Sequence, residues 1–306
     1  MPSANDAMAP VLPDVSGAGP APAEAKRWRD LRKRALSAAV LGPAAVTCIW
    51  LGAEPWTALM AIAAAILAWE WVHLCGRQTR SVPGIGVPVF VLAAGALSVM
   101  ERPALALLAL LAGFAVTWVM AAAHGRWPRR ERVPQQPVAR LAAGVLYIGL
   151  AGIALIELRH DNAAGQANVR FLFLVVWASD IGAYMAGRAF GGPKLAPAVS
   201  PNKTWSGALG GVGFAMMIGS LAAVLLVAGS SVPAAAVVAL VLSVASQAGD
   251  LLENAIKRHF RVKDTSSLIP GHGGLLDRLD GVLAAAPVAL LIALAVGYGR
   301  PLWGWA

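Results

Sequence analysis

Nine apolar stretches recur along this chain, near 36–53, 56–75, 83–100, 103–123, 140–157, 169–188, 207–228, 233–252 and 281–298. Each is close to the length of about 20 residues that a helix needs to cross the hydrocarbon core of a bilayer. The expected fold is therefore an all-α polytopic membrane protein with about nine transmembrane helices. Composition agrees: 58% of the 306 residues are apolar, 13% are charged, and the mean hydropathy is +0.65, too apolar for a soluble domain of this length. Pro55, Pro83, Pro103 and Pro233 fall at the starts of spans, where a missing N–H costs least. Pro43 and Pro88 fall inside spans and are expected to kink them.

The formal charge of +9 does not point to nucleic acid, because the basic residues are spread among the hydrophobic runs rather than gathered with aromatics on one module. It fits membrane topology and anionic ligands. With the N-terminus in the cytoplasm, 21 of the 25 Lys and Arg residues fall on that side, and Arg102, Arg159, Arg170 and Arg300 fall outside. The positive-inside bias thus predicts a cytoplasmic N-terminus and a periplasmic C-terminus. The two cysteines, Cys48 and Cys75, lie in apolar runs and read as packing residues rather than as a disulfide or a zinc site. Residues 1–23 are rich in Pro, Ala and Gly and read as a disordered tail. The basic stretch Lys26–Arg34 comes too late, and is followed by too long a span, for a signal peptide. The expected organisation is a tail and basic juxtamembrane segment (1–35), amino-terminal transmembrane helices (36–160) and a carboxy-terminal catalytic transmembrane domain (161–306).

Inside the amino-terminal spans, polar residues are confined almost entirely to Glu70 and His73. Glu70, between Trp69 and Trp71, is expected at the cytoplasmic interface, where Trp is also favoured; the alternative is a buried functional carboxylate. The chemistry is expected after residue 175. Asp180, Tyr184 and Arg188 recur every four residues and share a helix face. An intramembrane salt bridge explains them as well as a site does, although ionisable residues within spans are costly and usually functional. The loop Ser200-Pro-Asn202-Lys203-Thr204 runs into the next span; its donors and the helix N-terminus suit a phosphate, although Ser-Pro-Asn is also an ordinary helix entry. The densest cluster holds Ser243, Ser246, Asp250, Glu253, Asn254 and Lys257 at spacings of three or four, then Arg258, Lys263, Asp264, Gly271, His272, Gly273, Gly274, Asp277, Arg278 and Asp280. A lipid-facing helix would not carry such a stripe. The glycines allow close backbone approach to a ligand, and His272 between them reads as a hydrogen-bond donor or loop-shaping residue rather than a base or metal ligand. Carboxylates beside cations and Gly-rich backbone suit magnesium-nucleotide chemistry, since Mg2+ takes oxygen ligands and few carboxylates, while Lys and Arg neutralise phosphate.

The run from Lys257-Arg258 through Lys263-Asp264 to Pro270-Gly-His-Gly-Gly-Leu-Leu-Asp-Arg-Leu-Asp280 resembles the signature of the phosphatidate cytidylyltransferases, or CDP-diacylglycerol synthases. Asp180 to Arg188 and Ser200 to Thr204 resemble further segments of that family, so the likeness covers about residues 170–285. The family often has Glu where this chain has Ser206, so no role that relies on a carboxylate there carries over. The resemblance implies a magnesium-dependent transfer of CMP from CTP to phosphatidic acid with release of pyrophosphate. It also implies a helical membrane protein, commonly a homodimer, in contact with membrane lipids. The expected location is the bacterial inner membrane, with the active site facing the cytoplasm. On this reading Asp250 and Asp277 hold Mg2+. Lys203, Lys257, Arg258 and Arg278 hold the phosphates, Asp264 and Asp280 orient these cations, and Asp180, Tyr184, Arg188, Ser200, Asn202, Thr204, Lys263, His272, Gly273 and Gly274 contact substrate. The rival is an ion or proton transporter using Asp180, Asp250 and Asp277. A transporter usually places its site near the midplane between repeated halves, whereas polarity here gathers at one side.

Overall fold

The computed structural model describes residue 43 and residues 46–123, 138–161, 163–268 and 273–305. The expected tail (1–35), half of the first span (36–53), Gly271 and His272 lie outside the described residues. Among the described residues eight complete helices follow in chain order: α1 (Ala53–Leu74), α2 (Gly86–Val99), α3 (Pro103–Ala123), α4 (Val138–His160), α5 (Gly165–Phe190), α6 (Trp205–Leu226), α7 (Val232–Phe260) and α8 (Leu276–Val296). All but α2 are long and apolar enough to cross a membrane. Large apolar side chains such as Leu108, Val119, Leu209 and Leu225 are exposed along them, as a hydrocarbon solvent requires.

The third predicted span is shorter than expected. α2 has 14 residues, about 21 Å at 1.5 Å per residue against a core of ~30 Å. The chain spends residues 79–85 on turns before α2 begins, and Ser81 donates its hydroxyl to the Gln78 carbonyl (2.7 Å) within them. Pro88 accordingly sits in the first turn of α2, where its missing N–H breaks no helical bond. The purely α expectation also lacks one element. Between α5 and α6, strands β1 (Lys194–Ala196) and β2 (Ser200–Thr204) pair antiparallel, with Lys194 opposite Thr204.

Two apolar cores hold the bundle. One joins Trp56, Leu155 and Leu158 to Phe171, Leu242 and Trp303. The other packs Trp71, Val91, Leu110 and Ile148 around Phe260 at the end of α7 and Leu276 at the start of α8. Helix α4 serves both, and Cys75 is buried in the second. It is a packing residue, as expected.

Small residues bring α5 onto α6. A Cβ at Gly182 would stand 2.5 Å from the Phe214 Cβ, and one at Gly211 would stand 2.8 Å from the Ser179 carbonyl oxygen. Glycine at both positions lets the backbones close in, as helices in lipid often do. Helices α7 and α8 approach in the same way, since a Cβ at Gly249 would stand 2.6 Å from the Asp280 carbonyl oxygen. The C-terminal ends of α5 and α7 and the N-terminal ends of α6 and α8 therefore meet at one end of the bundle. Helix α7 has 29 residues, about 43 Å, so its polar last turns extend beyond a ~30 Å hydrocarbon core.

Candidate functional site

At that end lies a cavity of about 820 Å³. Helix α5 supplies Asp180, Tyr184 and Arg188, strand β2 supplies Asn202, Lys203 and Thr204, α7 supplies Gln247, Asp250 and Lys257, and α8 supplies Asp277, Arg278 and Asp280. Four elements thus bring charged and polar side chains into one space, alongside small apolar neighbours such as Ala183, Leu195 and Ala208.

Charges in the cavity are paired in two groups. Lys203 from β2 bridges to Asp250 on α7, and Asn254 donates its amide to the other oxygen of Asp250 (2.5 Å). Asp250 is also within electrostatic reach of Asp180 and Asp280, so three carboxylates share this half of the cavity, with Lys203 acting on Asp180 and Lys257 on Asp280. In the second group, the Lys257 ammonium sits 2.6 Å from Glu253 and 3.1 Å from Asp277. Asp277 accepts further hydrogen bonds from the Thr265 N–H (3.0 Å), the Thr265 hydroxyl (3.1 Å) and the Gly274 N–H (2.8 Å). These groups are more enclosed: the Lys257, Glu253 and Asp277 side chains are 14%, 1% and 4% exposed, against 26% and 28% for Lys203 and Asp250.

The remaining predicted site residues stand around the cavity rather than in its lining. Arg258 follows Lys257 by one position, about 100° around the helix, and its Nε–H donates to the Val199 carbonyl at the hairpin (3.3 Å). Lys263 and Asp264 are exposed beyond the end of α7. Ser200 pairs with Ala196 at the start of β2. Gly273 has φ +84, and a Cβ there would meet an Asp277 carboxylate oxygen at 2.8 Å; with Gly274 it shapes the surround of Asp277. His272 lies outside the described residues.

The phosphate-cradle reading of the 200–207 segment changes in detail. Thr204 is the N-cap of α6, its hydroxyl oxygen accepting the Gly207 N–H (3.1 Å), so that donor is occupied. Ser206 donates its hydroxyl to the Gly191 carbonyl, tying the start of α6 to the end of α5. Two residues escaped the sequence reading. Gln247 lines the cavity and donates to the Ala208 carbonyl (3.2 Å); it lies three before Asp250, so the same spacing rule would have found it. Thr265 has no periodic signal and is placed by the fold alone. Glu70, expected at the interface, is fully buried. It accepts from the Ser266 hydroxyl (2.6 Å), the Leu275 N–H (2.8 Å) and the Leu276 N–H (2.7 Å).

A hard divalent cation suits this donor set, since carboxylates from α5, α7 and α8 open onto one space. Among the described residues no three His, Cys, Asp or Glu side chains are placed to enclose a metal by themselves. That is compatible with Mg2+, which commonly takes one or two carboxylates and completes its sphere from phosphate and water.

The profile of the cytidylyltransferase family matches residues 32–296. A phosphatidate cytidylyltransferase of Brucella suis biovar 1 (strain 1330) is 40% identical over 276 residues, covering 89% of this chain and 96% of the relative. One of Pseudomonas aeruginosa is 35% identical over 294 residues, covering 89% of this chain and all of the relative. One of Bacillus subtilis (strain 168) is 39% identical over 160 residues, about half of this chain.

Proposed function

This chain belongs to the cytidylyltransferase family, and from that membership we propose that it transfers CMP from CTP to phosphatidic acid, giving CDP-diacylglycerol and pyrophosphate. The observation that carries the reading is one cavity in which lysines and carboxylates from four elements face each other at one end of a membrane bundle, in a chain matched along nearly its whole length by phosphatidate cytidylyltransferases. The transporter alternative has no support from these relatives.

In the reaction a phosphate oxygen of phosphatidic acid forms a bond to the α-phosphorus of CTP, and the bond from that phosphorus to the bridging oxygen of the β-phosphate breaks. The attacking oxygen is already anionic, so no Ser or Cys nucleophile is needed. Positioning and charge neutralisation dominate such transfers. Lys203, Lys257 and Arg278 line the cavity and neutralise the lipid phosphate and the departing pyrophosphate. Tyr184 and Arg188, joined by a hydrogen bond of 3.3 Å, present donors from the opposite wall. Asp250 and Asp277 would hold Mg2+, which when bound would screen the CTP phosphates. Asp280 and Asp180 hold the field around Lys203 and Asp250. Arg258 acts through the hairpin, and Asp264 and Gly273 through the surround of Asp277.

The same reading counts the seven long helices, the short α2 and the first span as nine crossings of the bacterial inner membrane with the N-terminus inside, which would put the cavity on the cytoplasmic side. Purified protein incubated with labelled CTP, phosphatidic acid and Mg2+ is expected to form labelled CDP-diacylglycerol and pyrophosphate in equal amounts. No labelled lipid from well-folded protein would sink the reading.

A further inference from the structure

Glu70 is a carboxylate with no exposed surface on a helix that contributes nothing to the cavity lining. Among the described residues its three donors are all neutral and all come from beside α8: the Ser266 hydroxyl, the Leu275 N–H and the Leu276 N–H. Burying a charge is costly unless hydrogen bonds replace its water. A helix N-terminus offers such donors together with a positive dipole end. Helix α8 has no side-chain cap of its own, its N-cap residue being Leu275, so the cap arrives from α1, some 200 residues earlier in the chain.

The donors around this helix start are divided between two carboxylates. Thr265 and Gly274 turn to Asp277, while Ser266, Leu275 and Leu276 turn to Glu70. Gly274 must lack a Cβ for both to fit, since one would stand 2.7 Å from Glu70 Oε1. The Leu276 side chain is buried in the amino-terminal core with Trp71 and Val72. The register of Asp277, Arg278 and Asp280 in the cavity is therefore set from α1.

We infer that Glu70 is a positioning residue for the transfer, acting through the N-terminus of α8 on Asp277 and Arg278. This inference rests on the proposed function for its kinetic arm and on geometry for the rest. The test is Glu70→Gln, which keeps the size but turns a donor toward one of the three donors now bound. In the purified full chain, hydrogen exchange at the Leu275 and Leu276 amides should rise while that of α5 is unchanged. In CMP transfer, kcat should fall by roughly tenfold or more, with a smaller change in KM for CTP. Should Glu70→Gln fail to fold, Ser266→Ala removes one bond of the clasp and should still raise that exchange and lower kcat several-fold. Wild-type kcat and KM in the folded variant, even with a lowered melting temperature, would make Glu70 a structural cap only and overturn the inference. Unchanged exchange at Leu275 and Leu276 overturns it whether or not the wild type transfers CMP, and a wild type without transfer counts against the proposed function instead.

Discussion

The two lysines of the site sit in different surroundings and should respond differently to removal. The Lys203–Asp250 pair is about a quarter exposed on each side, where such pairs contribute ~0–1 kcal/mol to stability. Lys203→Ala should therefore leave the melting temperature in detergent close to wild type and lower kcat/KM by about 10- to 100-fold, the loss of one charge-assisted contact of ~1.5–3 kcal/mol. Lys257 lies between the enclosed Glu253 and Asp277, and removing one partner of a buried group costs about 3–5 kcal/mol. Lys257→Ala should lower both stability and activity, which thermal melts and transfer assays on the two variants will separate. Asp250→Asn and Asp277→Asn keep size and remove charge; each should lower transfer by about 100-fold or more. A right-shifted Mg2+ dependence in the residual activity is the specific signature of metal ligation. Near-normal magnesium-dependent transfer in both variants would move the metal to Asp180, Asp264 or Asp280.

At the scale of elements, periodicity exposed the polar stripe of α7, because spacings of three and four place Ser243, Asp250 and Lys257 on one face whatever surrounds the helix. It could not foresee the hairpin, whose strands of three and five residues are too short to carry an alternation. Nor could it foresee the length of α2, where the turn from α1 consumes apolar residues that composition alone assigns to a span. The α5–α6 seam offers a test of packing. Gly210 faces the Ala186 methyl group, so Gly210→Leu should force the helices apart at about 1–3 kcal/mol. Both helices carry cavity residues at their adjoining ends, so a lower melting temperature should be accompanied by lost transfer. A variant with wild-type stability would show that the seam relaxes freely.

For the whole molecule, the proposed topology, which would put 21 of the 25 basic residues on one side, predicts opposite sides for residue 125 and the C-terminus. A reporter fused after residue 125 should read as cytoplasmic and one at the C-terminus as periplasmic; both on one side would remove an odd number of crossings and displace half of the proposed site. The two cores give a reason for the amino-terminal half to exist, since one of them encloses Phe260 and Leu276, the residues that bracket the segment from α7 to α8.

Hydrophobic run length determined by itself that this chain is a helical membrane protein, because the bilayer fixes how much apolar helix a crossing needs. Residue spacing and the resemblance together identified most of the cavity lining, since each helix face is a local property. Tertiary structure alone decided which charge meets which. Asp277 and Lys257 are 20 residues apart, and Glu70 and Leu276 are 206 apart. Such pairings depend on how α1, α7 and α8 pack, which no local pattern records. The placement of Glu70 reversed for that reason: Trp69 and Trp71 beside it suggested an interface, and only the arrival of the α8 N-terminus made its burial affordable in hydrogen bonds.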